Sequence, residues 1–178
     1  MSGETPQRKI ARLSQYDYCR PGIYFVTICT HAKRFIFGSI INDQMRLNDW
    51  GNIVKTAWLD LPNHHLFLVF DDFIIMPNHL HGILILDYHD GTTDTAGRVP
   101  TRTFSSPISG SLSAIIGGFK SRVTREIRHM TNDKSNIWQP RFYDHIIRSE
   151  SELSKIREYI QNNPLNWERD KENPVYIR

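Results

Sequence analysis

The sequence predicts an α+β domain in which an antiparallel sheet packs against helices. Three observations point there. Short runs rich in β-branched and aromatic residues alternate with longer segments whose apolar residues recur at helical spacing. Two apolar runs, His65 to Met76 and His79 to Leu86, are separated only by Pro77-Asn78 and read as an antiparallel hairpin. No succession of βα units is present, so nothing calls for a parallel sheet. With 178 residues, 39% hydrophobic and 11% aromatic, the chain suits one domain, residues 1–178, with an adequate core.

The elements follow in order. Residues from about 1 to 20 read as a basic N-terminal arm. Gly22 to Thr30 is apolar on both faces and dense in Val, Ile, Thr, Tyr and Phe, which predicts a central strand started at the Pro21-Gly22 turn. Phe35 to Leu47 reads as short strands and a turn. From Asn48 or Asp49 a helix is expected through Ile53, Val54, Ala57, Trp58 and Leu61, with Leu61-Pro62 ending it. After the hairpin, residues 87–110 are polar, rich in Thr, Ser, Gly and Pro and without periodicity, which predicts a flexible, Ω-like loop.

Ser111 to Met130 restores helical spacing through Leu112, Ile115, Ile116, Phe119, Val123 and Ile127. Its Gly117-Gly118 pair costs a helix about 2 kcal/mol relative to alanines, which predicts close approach of another backbone or a kink. Ile137 to Arg148 holds another strand in its later half. Ser149 with Glu152 three residues on makes a capping box for a final helix. Leu153, Ile156 and Ile160 form its core stripe, and Asn162-Asn163-Pro164 terminates it.

Net charge is only +3, but its distribution is uneven. Residues 1–34 carry six basic side chains against two acidic ones, and Phe119 to His129 carries four against Glu126. Such patches suit a polyanionic partner, although a solvated surface is the commoner meaning of any one cluster. No apolar run approaches the roughly 20 residues of a membrane helix. The N-terminal stretch lacks a signal peptide's apolar segment, and two cysteines, Cys19 and Cys29, make no zinc knuckle. A cytoplasmic setting without membrane association is expected.

The chemistry concentrates at His79-Leu80-His81. On a strand the two imidazoles share a face while Leu80 enters the opposite layer. Side by side they can hold one divalent metal and leave positions open for phosphate and water. Read alone, such a pair is more often two hydrogen-bonded histidines on a half-buried strand. Tyr159 and Asn163 stand four residues apart on the last helix and share a face, with Tyr159 beside the core stripe. Were that helix to pack across the histidine strand, His79, His81 and the Asn163 amide oxygen would converge on one metal with Tyr159 adjacent. A phenol attacking a phosphodiester gives a covalent phosphotyrosine that conserves the bond energy for rejoining. The metal would polarise the scissile phosphate. The bland alternatives are an edge-packed tyrosine and a helix-capping asparagine.

The chain resembles the REP-associated tyrosine transposases, stand-alone bacterial members of the single-tyrosine HUH transposases. The resemblance rests on Pro21 to Thr27, Met76 to Gly82, Gly117 to Ser121, Trp138 to His145 and Arg157 to Pro164, in the family's order and across most of the chain. It implies a ferredoxin-like, RRM-like HUH endonuclease fold. It further implies a metal-dependent single-stranded DNA endonuclease and strand transferase acting on a palindromic hairpin with a flanking tetranucleotide. By position, Tyr159 is the nucleophile that joins the 5′ phosphate and frees a 3′ hydroxyl. His79, His81 and Asn163 are the ligands of Mg²⁺ or Mn²⁺. The basic residues expected at DNA are Lys120, Arg122 and Arg125 on the helix and Arg8, Lys9 and Arg12 in the arm. A monomer or homodimer associated with the bacterial nucleoid is expected.

Other readings compete. One is a domesticated hairpin-binding protein without cleavage, against which every catalytic position is intact. A zinc hydrolase would need a third strong ligand and a base, and no Glu or Asp adjoins the motif on its face. Tyr143 is a rival nucleophile, but strand alternation separates Asp144 from Tyr143 and His145. It reads as a core or DNA-contacting residue, and His64, His65 and His89 read as surface histidines near turns.

Overall fold

In the computed structural model, residues 21–87 and 110–175 are described. The basic arm with Arg8, Lys9 and Arg12, and residues 88–109 of the polar segment, lie outside them.

The β-branched and aromatic run Gly22–Cys29 forms β1, and the hairpin forms β4 (Leu68–Met76) and β5 (His79–Leu86) around Pro77-Asn78. With β6 (Tyr143–Ile147) they make a four-stranded sheet in the order β4-β5-β1-β6, every neighbouring pair antiparallel. β1 is therefore interior, as its two apolar faces predict. β2 (Gly38–Ile41) and β3 (Gln44–Leu47) pair separately as a two-stranded ribbon.

Helix α1 (Asp49–Leu59) starts at Asn48, whose side chain accepts from the Gly51 amide at 2.9 Å. Pro62 does more than end it. It stands in the first turn of a short helix α2 (Leu61–His64), where a missing N–H is no loss. Helix α3 (Leu112–Thr131) is capped by Ser111, and α4 (Glu150–Gln161) by Ser149.

Period-two alternation sorts the sheet into two layers. Tyr24, Val26 and Ile28 of β1, with Leu80, Leu84 and Leu86 of β5, pack under α1 and α3 through Trp58, Phe119 and Val123. Phe25, Ile83 and Ile147 face the other way, against Leu153 and Ile160 of α4. The Gly117-Gly118 expectation is corrected here: both glycines lie exposed on α3, and an added Cβ at either would meet nothing within 4 Å. They sit opposite the apolar stripe that docks the helix, so no described backbone approaches them.

Two acids on a bulge of β4 hold α4 across the sheet. Between Phe70 and Phe73 the register with β5 shifts, which turns Asp71 and Asp72 toward the helix. Asp71 receives Arg157 Nε at 2.8 Å and Nη2 at 2.5 Å, and Asp72 accepts from Gln161 Nε2 at 2.7 Å.

Candidate active site

His79 and His81 project from β5 into the α4 layer, both fully buried, with ring centroids 4.4 Å apart. Their outer nitrogens are fixed by neighbours. Asn78 donates Nδ2 to the carbonyls of Glu172 (2.7 Å) and Lys33 (3.2 Å), so its Oδ1 must accept at its other end. It lies 2.8 Å from His79 Nδ1. His79 therefore carries its proton on Nδ1, and the lone pair sits on Nε2. His81 Nδ1 meets the Thr27 hydroxyl at 2.8 Å, and its Nε2 lies 3.2 Å from the Tyr159 hydroxyl. Partners on the far nitrogens orient the rings as metal-binding imidazoles are ordinarily oriented.

Tyr159 comes down from α4 beside the core stripe, as the sequence predicts. It is 39% exposed, so its ring edge rests on Phe25 and His81 while part of it stays open to solvent. Asn163 lies two residues beyond the last helical residue, Gln161, rather than on α4. The turn continues, with the Asn163 amide donating to the Ile160 carbonyl at 3.3 Å, and carries its buried side chain to the site. Asn163 Nδ2 donates to Asp170 Oδ2 at 2.8 Å, while Asp170 Oδ1 accepts from the Glu172 amide at 2.6 Å. That bond fixes which end of the Asn163 amide is oxygen. Asn163 Oδ1 and His79 Nε2 are both buried without a hydrogen-bond partner. The ligand atoms of His79, His81 and buried Asp170 lie within 4.8 Å of one another. Two imidazole nitrogens, an amide oxygen and a carboxylate form a donor set suited to a divalent cation.

The electrostatics agree. Burial pushes His79 down to about 4, against the opposing charges of Asp170 and Glu172. Burial, then the charges of His79 and Lys171, holds His81 well below the ordinary histidine range. Both rings are thus neutral at pH 7, with lone pairs available. Tyr159 is pushed up, first by burial and then by the negative charges of Asp170 and Glu172. A cation among these groups would oppose the two carboxylates.

No family model matches the chain. It belongs to one family with an uncharacterized protein of Haemophilus influenzae, 41% identical over 166 residues that span 92% of each chain. A second Haemophilus influenzae protein, named as a REP-associated tyrosine transposase, is 24% identical over 156 residues, 84% of this chain and 73% of its own. The solved structure of a REP-associated tyrosine transposase bound to a REP hairpin superposes with a TM-score of 0.56 at 21% identity. The match covers 87% of this chain and 74% of that one. The chain shares the fold of the REP-associated tyrosine transposases. The family resemblance drawn from the motifs and the antiparallel α+β architecture drawn from the periodicity both hold.

The other sequence-predicted residues fall elsewhere. Helix α3 lies on the sheet face opposite the histidines. Lys120 Nζ donates to the carbonyls of Gln139 (2.8 Å) and Arg141 (3.0 Å). Arg122 is clamped between Asp60 and Glu126. Arg125 is exposed. Tyr143 and His145 share the site face at the edge of the sheet, and His145 Nε2 pairs with Glu152 at 2.7 Å.

Asp170 and Glu172 are the site residues that sequence reasoning misses. No carboxylate adjoins the histidines along β5, but the turn after α4 delivers both from about ninety residues away. Asp170-Lys171-Glu172 reads as a charged surface stretch, and only the three-dimensional path buries its two acids while leaving Lys171 exposed.

Proposed function

We propose that this protein cleaves and rejoins single-stranded DNA flanking a palindromic hairpin, through a covalent 5′-phosphotyrosine at Tyr159. The carrying observation is the Tyr159 hydroxyl, 3.2 Å from His81 Nε2 on a half-open helix face, beside the buried donors His79, Asn163 and Asp170. The fold shared with a transposase bound to a REP hairpin supports the choice of substrate.

In this reading His79, His81 and the Asn163 amide oxygen hold Mg²⁺ or Mn²⁺, with Asp170 orienting the amide and adding negative charge. The bound metal supplies Lewis-acid polarisation of the scissile phosphate. Tyr159 contributes the attacking oxygen: a new O–P bond forms, the bond to the 3′ oxygen breaks, and a 3′ hydroxyl is released with the proton that the phenol gives up. Asn78 holds His79 with its proton on Nδ1, and Thr27 orients the His81 ring through its Nδ1. Arg125 and Lys120 on α3, with Arg8, Lys9 and Arg12, are the proposed phosphate contacts, Arg125 being the most open of the helical residues, whereas the Arg122 guanidinium faces Asp60 and Glu126.

The test uses a labelled hairpin oligonucleotide with single-stranded flanks copied from palindromes neighbouring the gene. The wild type should give a covalent adduct that survives denaturation, and Tyr159→Phe should bind the hairpin nearly as well yet form none. Adduct formation by Tyr159→Phe, with its loss in Tyr143→Phe, overturns the assignment. Hairpin binding with no adduct from the wild type would mark a binding protein without cleavage.

A further inference from the structure

We propose that Tyr143 and Lys171 form a stacking subsite for a nucleobase of the single strand, beside the phosphate position at His79, His81 and Tyr159. The proposal deepens the DNA-cleaving function above and rests on it.

The sheet register places the two positions together. Thr27 pairs with His81 on one side and with Tyr143 on the other. The three residues therefore form one row across β5, β1 and β6, with side chains on the same face. Two strand spacings put Tyr143 about 10 Å from His81, within reach of a nucleotide neighbouring the one being cleaved. Tyr143 is on the edge strand and 43% exposed, whereas Ile147, further along the same face of β6, is buried under α4. An aromatic ring left open on the chemistry-bearing face, beyond the end of the helix cover, is available to a planar ligand.

Lys171 supplies the charge. Its ammonium lies 5.5 Å from the centroid of the Tyr143 ring. The turn that delivers it also delivers Asp170 to the histidines, so the subsite and the active site share one segment. The flanking acids do not neutralise it outward: Asp170 and Glu172 are buried, and Glu172 is paired with Lys33 at 3.2 Å. A part-exposed aromatic ring with a lysine ammonium over one face suits a base laid on the other face and its phosphate held by the ammonium. A base on this platform would set the strand's path toward Tyr159 without reading sequence, because every base has a π-face.

The probes are fluorescein-labelled oligothymidylate and an abasic oligomer of equal length, followed by fluorescence anisotropy. Tyr143→Ala should weaken oligothymidylate binding about 5- to 150-fold, the range that stacking on one aromatic gives. It should leave the abasic oligomer unaffected, and Tyr143→Phe should restore wild-type affinity. Lys171→Gln should reduce the salt slope by about 0.7 on both probes. Melting curves check that the variants are folded. Wild-type affinity of Tyr143→Ala for oligothymidylate, or an equal loss on the abasic probe, overturns the subsite. If the hairpin adduct still forms at Tyr159 in that case, the subsite alone has failed. A wild type that binds neither oligomer and forms no adduct defeats both readings.

Discussion

Replacing Asp170 with alanine tests how the site is organised, because this carboxylate touches the two groups on which the organisation depends. It accepts from Asn163 Nδ2 at 2.8 Å and from the Glu172 amide at 2.6 Å, in a fully packed environment. Its removal leaves two buried donors without partners, each costing about 1–3 kcal/mol. The Asn163 amide is then free to rotate, and its oxygen, otherwise aimed among the histidines, loses its fixed direction. Loss of such an orienting partner lowers metal affinity by about 10- to 100-fold. Mn²⁺ titration followed by electron paramagnetic resonance reads this directly, with no DNA present. A double-mutant cycle identifies the route. If Asp170 acts through Asn163, Asp170→Ala adds little once Asn163→Ala is in place; if it ligates the metal itself, the two losses accumulate. Unchanged Mn²⁺ affinity in a folded Asp170→Ala protein would refute both routes.

Three further outcomes are expected. Hairpin cleavage should require added Mg²⁺ or Mn²⁺ and be lost in His79→Ala and in His81→Ala, whereas full activity in excess chelator would contradict a metal role. Arg125→Gln should lower the slope of log affinity against log salt by about 0.7 on single strands. Arg122→Gln should leave the slope unmoved, since its guanidinium already faces Asp60 and Glu126; the opposite pattern would put Arg122 at the DNA. Arg157→Ala should lower the melting temperature at neutral pH by loosening α4. Arg157 holds the Asp71 carboxyl below its usual 3.8, so this contribution is present above pH 3.8 and lost as pH falls below it through the folded value. The melting gap between wild type and Arg157→Ala should therefore close in acid, and a constant gap would mean that the ion pair is not its source.

Much of this architecture is written locally. The β-branched density of Gly22–Cys29, the Pro77-Asn78 turn and the Ser149 cap each act over a few residues, and each appears where the sequence puts it. The capping box is only half formed. Ser149 Oγ accepts from the Glu152 amide, but the Glu152 carboxylate reaches the Arg148 amide and His145 instead of the Ser149 amide. His145, a strand residue that the local motif cannot see, competes for that carboxylate. The histidine pair and Tyr159 are legible because strand and helix periodicity fix their faces. Asp170 is not, because its position depends on the path of an irregular turn. The ion pairing of Arg122 is hidden for a similar reason: Asp60 lies 62 residues away in sequence, at the end of α1.

The distance between His81 and Tyr159 is thus set by two anchors, neither of which touches the reacting atoms. On the strand side, β5 alternates His79, His81 and Ile83 with Leu80, Gly82 and Leu84, so a slip of one residue would turn both imidazoles into the α1–α3 layer. Gly82 opposes that slip from the far face. A Cβ there would come within 2.4 Å of the buried Trp58 ring, which occupies the space the missing side chain leaves. Any neighbouring residue of β5 brought opposite Trp58 would carry such a Cβ. On the helix side, Asp71 and Asp72 hold Arg157 and Gln161, which bracket Tyr159 by two residues each way. The strand is registered by packing on the face away from the chemistry, and the helix by charge on a bulge of the neighbouring strand. The 3.2 Å contact between phenol and imidazole is where these two constraints meet.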